Sequence, residues 1–253
     1  MTEPIIKIED LHKGFQGVPV LEGLSLDVEP GRITFIIGRS GGGKSVLIKL
    51  VIGLLKPDRG RILLEGRNIA GLNDSAMNRV RQRFGMLFQS AALFDSMTVG
   101  ENIAFPLEAH TRLGRGEIKR LVREKMEMVG LKDVAHLMPS EISGGMRKRA
   151  GLARAIILEP EILLFDEPTT GLDPIMAEMV DDLIVQTQRR THVTSIVISH
   201  DIPAALRIAD KIAMIYQGRI IVHGTPEEVR LSPDPVIRQF LKGEGEGPMF
   251  LGD

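Results

Sequence analysis

Ile33-Thr34-Phe35-Ile36-Ile37-Gly38-Arg39-Ser40-Gly41-Gly42-Gly43-Lys44-Ser45-Val46 runs from an apolar, β-rich stretch through a glycine loop into a helical pattern. Residues Gly38 to Ser45 fit G-x-x-x-x-G-K-[ST] at every fixed position. A pattern of two Gly, one Lys and one Ser or Thr arises by chance in about one chain per hundred of this length. The flanking order of strand, loop and helix lowers that further, because apolar Val46, Leu47, Leu50, Val51 and Leu54 give Ser45 to Gly53 a helical period. Glycines let consecutive backbone N–H groups turn inward around an anion, and the helix start adds unpaired donors and a positive dipole end. Lys44 is expected to reach the β- and γ-phosphates of a nucleoside triphosphate, and the Ser45 hydroxyl to ligate magnesium.

Strand-like runs at Ile5 to Leu11, Val20 to Val28, Ile33 to Ile37 and Arg61 to Glu65 fill the opening third, separated by turn signals such as Glu29-Pro30-Gly31. Residues 90 to 160 read as a helical insertion that includes Gly116 to Val129 and a helix starting near Ser143. Strands then alternate with helices, at Ile162 to Phe165, Ile175 to Arg190, Ser195 to Ser199, Ile202 to Ala209, Ile212 to Tyr216 and Arg219 to His223. Such alternation implies a mostly parallel sheet flanked by helices. Ligands of such sheets sit beyond the carboxyl ends of the strands, where Gln89, the pair Asp166-Glu167 and His200 are found.

Asp166 is expected to help hold magnesium opposite Ser45, leaving Glu167 to polarise an attacking water. The imidazole of His200 is placed to contact a γ-phosphate. The remaining histidines, His12, His110, His136, His192 and His223, lack ligand spacing and read as structural or surface residues. A second glycine cluster, Ser143-Gly144-Gly145, opens a helix. It reads either as a further anion site or as a plain N-cap by Ser143. It lies far along the chain from the phosphate loop, which leaves open whether one chain can present both to one nucleotide. Arg147, Lys148, Arg149 and Arg154 read as the solvated face of that helix, with charge complementing a bound phosphate as the lesser reading.

Composition sets the outer bounds. The 253 residues, 43 % of them hydrophobic, suffice for a sizeable core. A net charge of -1 argues against nucleic-acid binding by bulk electrostatics, and the absence of cysteine removes disulfides and thiolate chemistry. No apolar run is long enough to span a bilayer, and Met1-Thr2-Glu3-Pro4-Ile5 lacks the features of a secretion signal. Near the end, Gly243 to Gly247 reads as a flexible tether and Met249-Phe250-Leu251 as a small apolar anchor, with a frayed terminus as the alternative.

Gly38 to Ser45, Gln89, Ser143-Gly144-Gly145, Asp166-Glu167, Gly171-Leu172-Asp173 and His200 together resemble the ATP-binding cassette ATPases in order and spacing over nearly the whole chain. The resemblance implies a P-loop NTPase α/β fold with a mostly parallel central sheet, an N-terminal antiparallel β-subdomain and an inserted helical subdomain. It implies an ATPase domain over residues 1–242 and a C-terminal tail over 243–253. By the same resemblance Phe15 stacks on adenine, Gln89 joins Ser45 and Asp166 at Mg2+, and Ser143 to Gly145 form the signature. Asp173 is then the D-loop acid and His200 the switch histidine, and Lys44, Glu167 and His200 serve catalysis. Family mechanism implies a head-to-tail homodimer on a multipass permease, at the cytoplasmic face of a bacterial inner membrane. The signature departs from the commonest form at Ile142 and Met146. The Met, the segment Glu101 to Leu107 and the Gly-Glu-Gly-Pro-Met-Phe tail are similar to the ATPases of Mla (MCE-type) phospholipid transporters. That subfamily implies a small STAS-domain partner, a periplasmic MCE lipid-binding protein and no nucleic acid. An amino-acid or other small-solute importer is the alternative cargo reading. A non-transport cassette ATPase fits less well, for want of a coiled-coil insertion or a second cassette.

Overall fold

Alternating apolar positions in the opening segment become β1 (Ile6–Phe15) and β2 (Val18–Val28), with Ile6, Ile8, Leu24, Leu26 and Val28 turned into the core. Their hairpin pairs Phe15 with Val18 across Gln16 and Gly17, whose φ angles of 51° and 83° are those of a type I′ turn. This computed structural model describes residues 3–249. β3 (Ile33–Ile37) is buried throughout and leads through the glycine loop into α1 (Lys44–Val51). β4 (Arg59–Leu64), β5 (Arg67–Asn68), α2 (Asp74–Arg81) and β6 (Phe84–Leu87) follow. Helices α3 (Val99–His110), α4 (Arg115–Met128) and α5 (Gly144–Ile156) occupy the segment before β7 (Ile162–Asp166). The chain continues through α6 (Pro174–Thr191), β8 (Thr194–Ile198), α7 (Ile202–Ile208), β9 (Lys211–Tyr216) and β10 (Arg219–Gly224). It closes with α8 (Pro226–Arg230) and α9 (Pro235–Lys242).

The chain divides into two compact units, the first formed by residues up to 77 and from 196 onward, the second by residues 78–195. The first unit contains an antiparallel sheet of order β2-β1-β4-β5. It also contains the series β10-β9-β3, in which β3 and β9 are parallel with Thr34 opposite Lys211 and Ile37 opposite Met214. Beside β3 lies the end of β8, where the Ser199 N–H donates to the Ile36 carbonyl at 3.3 Å. In the second unit β6 and β7 are parallel, from Phe84 opposite Ile162 to Leu87 opposite Phe165. The start of β8 neighbours β7, with the Thr194 N–H donating to Glu161 at 3.0 Å. The expected α/β architecture, with its separate antiparallel sheet and its helices between two parallel strands, is therefore present. The expected elements do not include α2, α8 and α9, although Val236, Ile237, Phe240 and Leu241 give α9 an apolar helical face. The starts of α8 and α9 are marked by Thr225-Pro226 and Asp234-Pro235, a capping side chain followed by Pro at the first helical position.

The tail is anchored within its own unit. The Gln239 side chain, 4 % exposed, accepts from the Met249 N–H at 2.7 Å and donates to the Glu244 carbonyl at 3.2 Å. Gly247 packs on that amide so closely that a Cβ would lie 2.6 Å from it, and the Arg39 guanidinium donates to the Met249 carbonyl at 3.3 Å. Met249 is buried, while Phe250 and Leu251 of the expected anchor lie outside the described residues.

In the second unit α5 rests on β6 through small residues. A Cβ on Gly85 would collide with the Ala155 carbonyl oxygen and with Leu163, and Gly151 meets Leu87 and Ala91 in the same way. Gly85→Ala should therefore destabilise the protein by about 3 kcal/mol through overpacking, seen as a lowered urea midpoint with an unchanged slope.

Candidate nucleotide-binding and hydrolysis residues

The phosphate loop begins where β3 ends against β9. A Cβ at Gly38 would lie 2.5 Å from the Ile215 carbonyl oxygen, so this position is open to glycine alone, and its φ of 152° leads the chain out of the strand. The Gly42 N–H donates to Arg39 at 3.1 Å, and Gly43, with φ 92°, is the N-cap of α1. No side chain caps that helix, so its positive end faces the loop, which is an arrangement suited to an anion. Lys44 is 5 % exposed, and its ammonium donates to the Gly38 and Arg39 carbonyls at 2.7 and 2.8 Å. The cation is thus held at the loop itself. Arg39, Ser40 and Ser45 are exposed, and Val46 is half-buried.

Two further expected residues belong to the same unit. His200 follows β8 and is exposed, and the pairing of Ser199 with Ile36 sets it alongside the end of β3. Asp201 then caps α7 by accepting from the Ala204 N–H at 2.9 Å. Phe15 ends β1 at 43 % exposure, with the Lys13 ammonium 5.5 Å from its ring centre. Asp58 braces that strand end, accepting from the Lys13 ammonium at 2.7 Å and from the Gly14 N–H at 2.8 Å. These two bonds hold its carboxyl below the ordinary range.

In the second unit the neighbouring ends of β6 and β7 bring Gln89 and the pair Asp166-Glu167 onto one edge. Glu167 adopts φ 50°, unusual for a non-glycine residue, and is held there by Thr170, whose hydroxyl donates to its carboxylate at 3.0 Å and whose N–H donates to its carbonyl at 3.3 Å. Ser143 caps α5, accepting from the Met146 N–H at 3.2 Å. Gly145 is buried, in contact with Met176 of α6. Asp173 caps α6, accepting from the Ile175 and Met176 N–H groups at 3.1 Å.

The basic residues of α5 depart from the expected solvated face. Arg147 is exposed, but Lys148 is 5 % exposed, and Arg149 and Arg154 are half-buried. Arg154 donates to the Ala91 and Ala92 carbonyls at 2.8 Å each, just beyond Gln89, where φ is 62° and 46°. Asn102, fully buried, completes that loop by donating to the carbonyls of Phe94, Met97 and Thr98 at 3.0 Å and accepting from the Phe94 N–H at 2.8 Å. Helical spacing gave a clue to Lys148, which shares a face with Gly145, Leu152 and Ile156.

Residues 21–170, more than half of the chain, match the family described as ABC transporter. The chain belongs to the ABC transporter family. It is an ATP-hydrolysing subunit of that family. Its relatives include the "Intermembrane phospholipid transport system ATP-binding protein MlaF" of Haemophilus influenzae, 44 % identical over 98 % of this chain and 94 % of the relative. The protein of the same name from Escherichia coli K12 is 45 % identical over 91 % of this chain and 86 % of its own. The "Probable ribonucleotide transport ATP-binding protein mkl" of Mycobacterium leprae is 40 % identical over 98 % and 72 %. Among solved structures, cbiO1 from Clostridium perfringens, part of the transporter complex cbiONQ, superposes with a TM-score of 0.84 at 30 % identity over 94 % of each chain. The cassette MJ0796, in a dimeric post-hydrolysis state bound to ADP and Pi, gives 0.81 at 26 % identity over 87 % of this chain and 98 % of its own.

Within this ABC ATPase, Lys44→Ala should weaken ATP binding by at least about tenfold, or ~1.4 kcal/mol. Titration calorimetry with ATP checks it, and unchanged affinity would remove Lys44 from the phosphate site.

Proposed function

We propose that this ABC transporter ATPase drives phospholipid transport between the inner and outer membranes of a Gram-negative envelope. The observation that carries the reading is 44–45 % identity, over 91–98 % of the chain, to proteins named for intermembrane phospholipid transport. The mycobacterial relatives, named for ribonucleotide transport at 40 % identity, favour a second cargo on the same engine.

In this reading the loop from Gly38 to Val46 cradles the triphosphate of ATP, Lys44 neutralises its developing charge, and Phe15 offers its exposed ring to the adenine. Glu167 polarises the attacking water and His200 contacts the γ-phosphate. Ser143, Gly144 and Gly145 of one copy close over ATP held by a second copy, making a head-to-tail homodimer. Magnesium fits the donor set, because Ser45, Gln89 and Asp166 offer hard oxygen ligands. That ion would supply charge neutralisation at the phosphates.

No helix among the described residues is long and apolar enough to cross a membrane. In this reading the protein is a peripheral subunit on the cytoplasmic face of the inner membrane, held there by its permease. A multipass permease docks beside Phe94 and Phe105, exposed aromatic rings 5.0 Å apart in the second unit. A small STAS-domain protein and, through the permease, a periplasmic MCE lipid-binding protein complete the assembly.

Glu167→Gln should keep ATP affinity while lowering turnover by about 100-fold or more. Purified with ATP from membranes, that variant is expected to retain a permease, an MCE-type protein and phospholipid, identified by mass spectrometry. Recovery of a permease with a solute-binding protein and no specific lipid would move the cargo to a small solute. Phe94→Asp should release the permease in the same pull-down without altering ATP affinity.

A further inference from the structure

Lys148 stands in the second turn of α5, one turn beyond Gly145, and its side chain enters the second unit rather than solvent. Its ammonium donates to the main-chain carbonyl of Gln89 in a short contact, and to that of Glu167 at 3.4 Å. These carbonyls belong to the loops that leave β6 and β7, neighbouring parallel strands. One cation therefore bridges the two segments that carry the carboxamide and the carboxylate assigned to hydrolysis.

Both segments are irregular and need external support. Glu167 has φ 50°, and Ala91 and Ala92, next to Gln89, have φ 62° and 46°. Side chains with a Cβ hold such angles only where surrounding bonds fix them. Thr170 fixes Glu167 from one side and Arg154 fixes Ala91 and Ala92 from α5, yet of these groups Lys148 alone bonds to both loops. The cost of placing an ammonium there is visible. Burial pushes its pKa below the ordinary lysine value, opposed by the charges of Glu167 and Asp166. A methionine would fill the same space without that cost, so simple packing does not account for a lysine.

We propose that Lys148 is a positioning residue for ATP hydrolysis, one that fixes the main chains of Gln89 and Glu167 relative to each other and ties both to the helix opened by Ser143-Gly144-Gly145. A displacement at the start of α5 then reaches both loops through a single side chain. The inference rests on the roles given above to Gln89 and Glu167.

The test compares Lys148→Met, Lys148→Gln and Lys148→Arg in the full-length chain, assayed with its membrane partner for kcat and KM and alone for ATP affinity and melting temperature. Lys148→Met is expected to lower kcat by roughly 10- to 100-fold, with KM and ATP affinity within about twofold. Lys148→Arg, which keeps cationic donors, should recover part of the loss. In a Gln89→Ala background Lys148→Met should cost less than in the wild type but not nothing, because the tie to the Glu167 carbonyl is still lost. A folded Lys148→Met with wild-type kcat, or with its whole loss in KM, overturns the proposal. If that variant does not fold, Lys148→Gln carries the test with the same two outcomes. Glu167→Gln serves as the control: if it still turns over, the underlying reading fails, whereas an inactive Glu167→Gln beside a fully active Lys148→Met removes only the positioning role.

Discussion

Backbone pressed against backbone, with no Cβ between, is the constraint from which both functional edges follow. At Gly85 the bare strand β6 admits the carbonyl of Ala155, which draws α5 onto the strand and carries Lys148 and Arg154 to the loop after it. At Gly38 the end of β3 meets the Ile215 carbonyl, and the chain turns out of the strand there into the phosphate loop. In each unit a glycine sets a distance between elements that a methyl group would enlarge. The side chains used for chemistry are then placed from that reference.

Close packing of this kind leaves short connections in conformations that they would not choose alone. Ala91, Ala92 and Glu167 cost about 1 kcal/mol or more each. Buried polar groups offset this. Each hydrogen bond from a charged donor to a carbonyl is worth about 1.5–3 kcal/mol when its alternative is an unmet buried group. Arg154 makes two such bonds and Lys148 bridges two loops, while Asn102 organises the residues from Phe94 to Thr98. The helical segment thus contributes fixed donors to irregular backbone as well as apolar surface to a core.

Most of the fold was legible in the sequence because its main strands are short apolar runs with clear breaks. β3 ends where the pattern ends, and α5 begins at its cap. The phosphate loop and the acids after β7 were equally plain, since their chemistry demands rare residue types at fixed spacing. Lys148 and Arg154 were hidden by a rule that usually holds, that cations on an amphipathic helix face water. Their acceptors are main-chain carbonyls, which carry no residue identity. Helix α8 escaped for a different reason, since five residues hold too few turns for a period to emerge, whereas α9 carries apolar Val236, Ile237, Phe240 and Leu241 at helical spacing behind its Asp234-Pro235 start and was legible.

The docked tail has a consequence for how such a sequence can change. Gln239 grips Met249 and Glu244 through main-chain atoms, and Arg39 likewise holds a carbonyl. Positions 245 and 246 are therefore open to substitution, and Glu244 adds only an ion pair with Lys242 at 3.2 Å, whereas a single inserted or deleted residue would pull Met249 out of reach. At Gly247, pressed on the Gln239 amide, and at Met249, whose side chain is buried, composition matters as well as length. The segment is recorded in the chain as a measured span, and a comparison that scores residue identities would undervalue it.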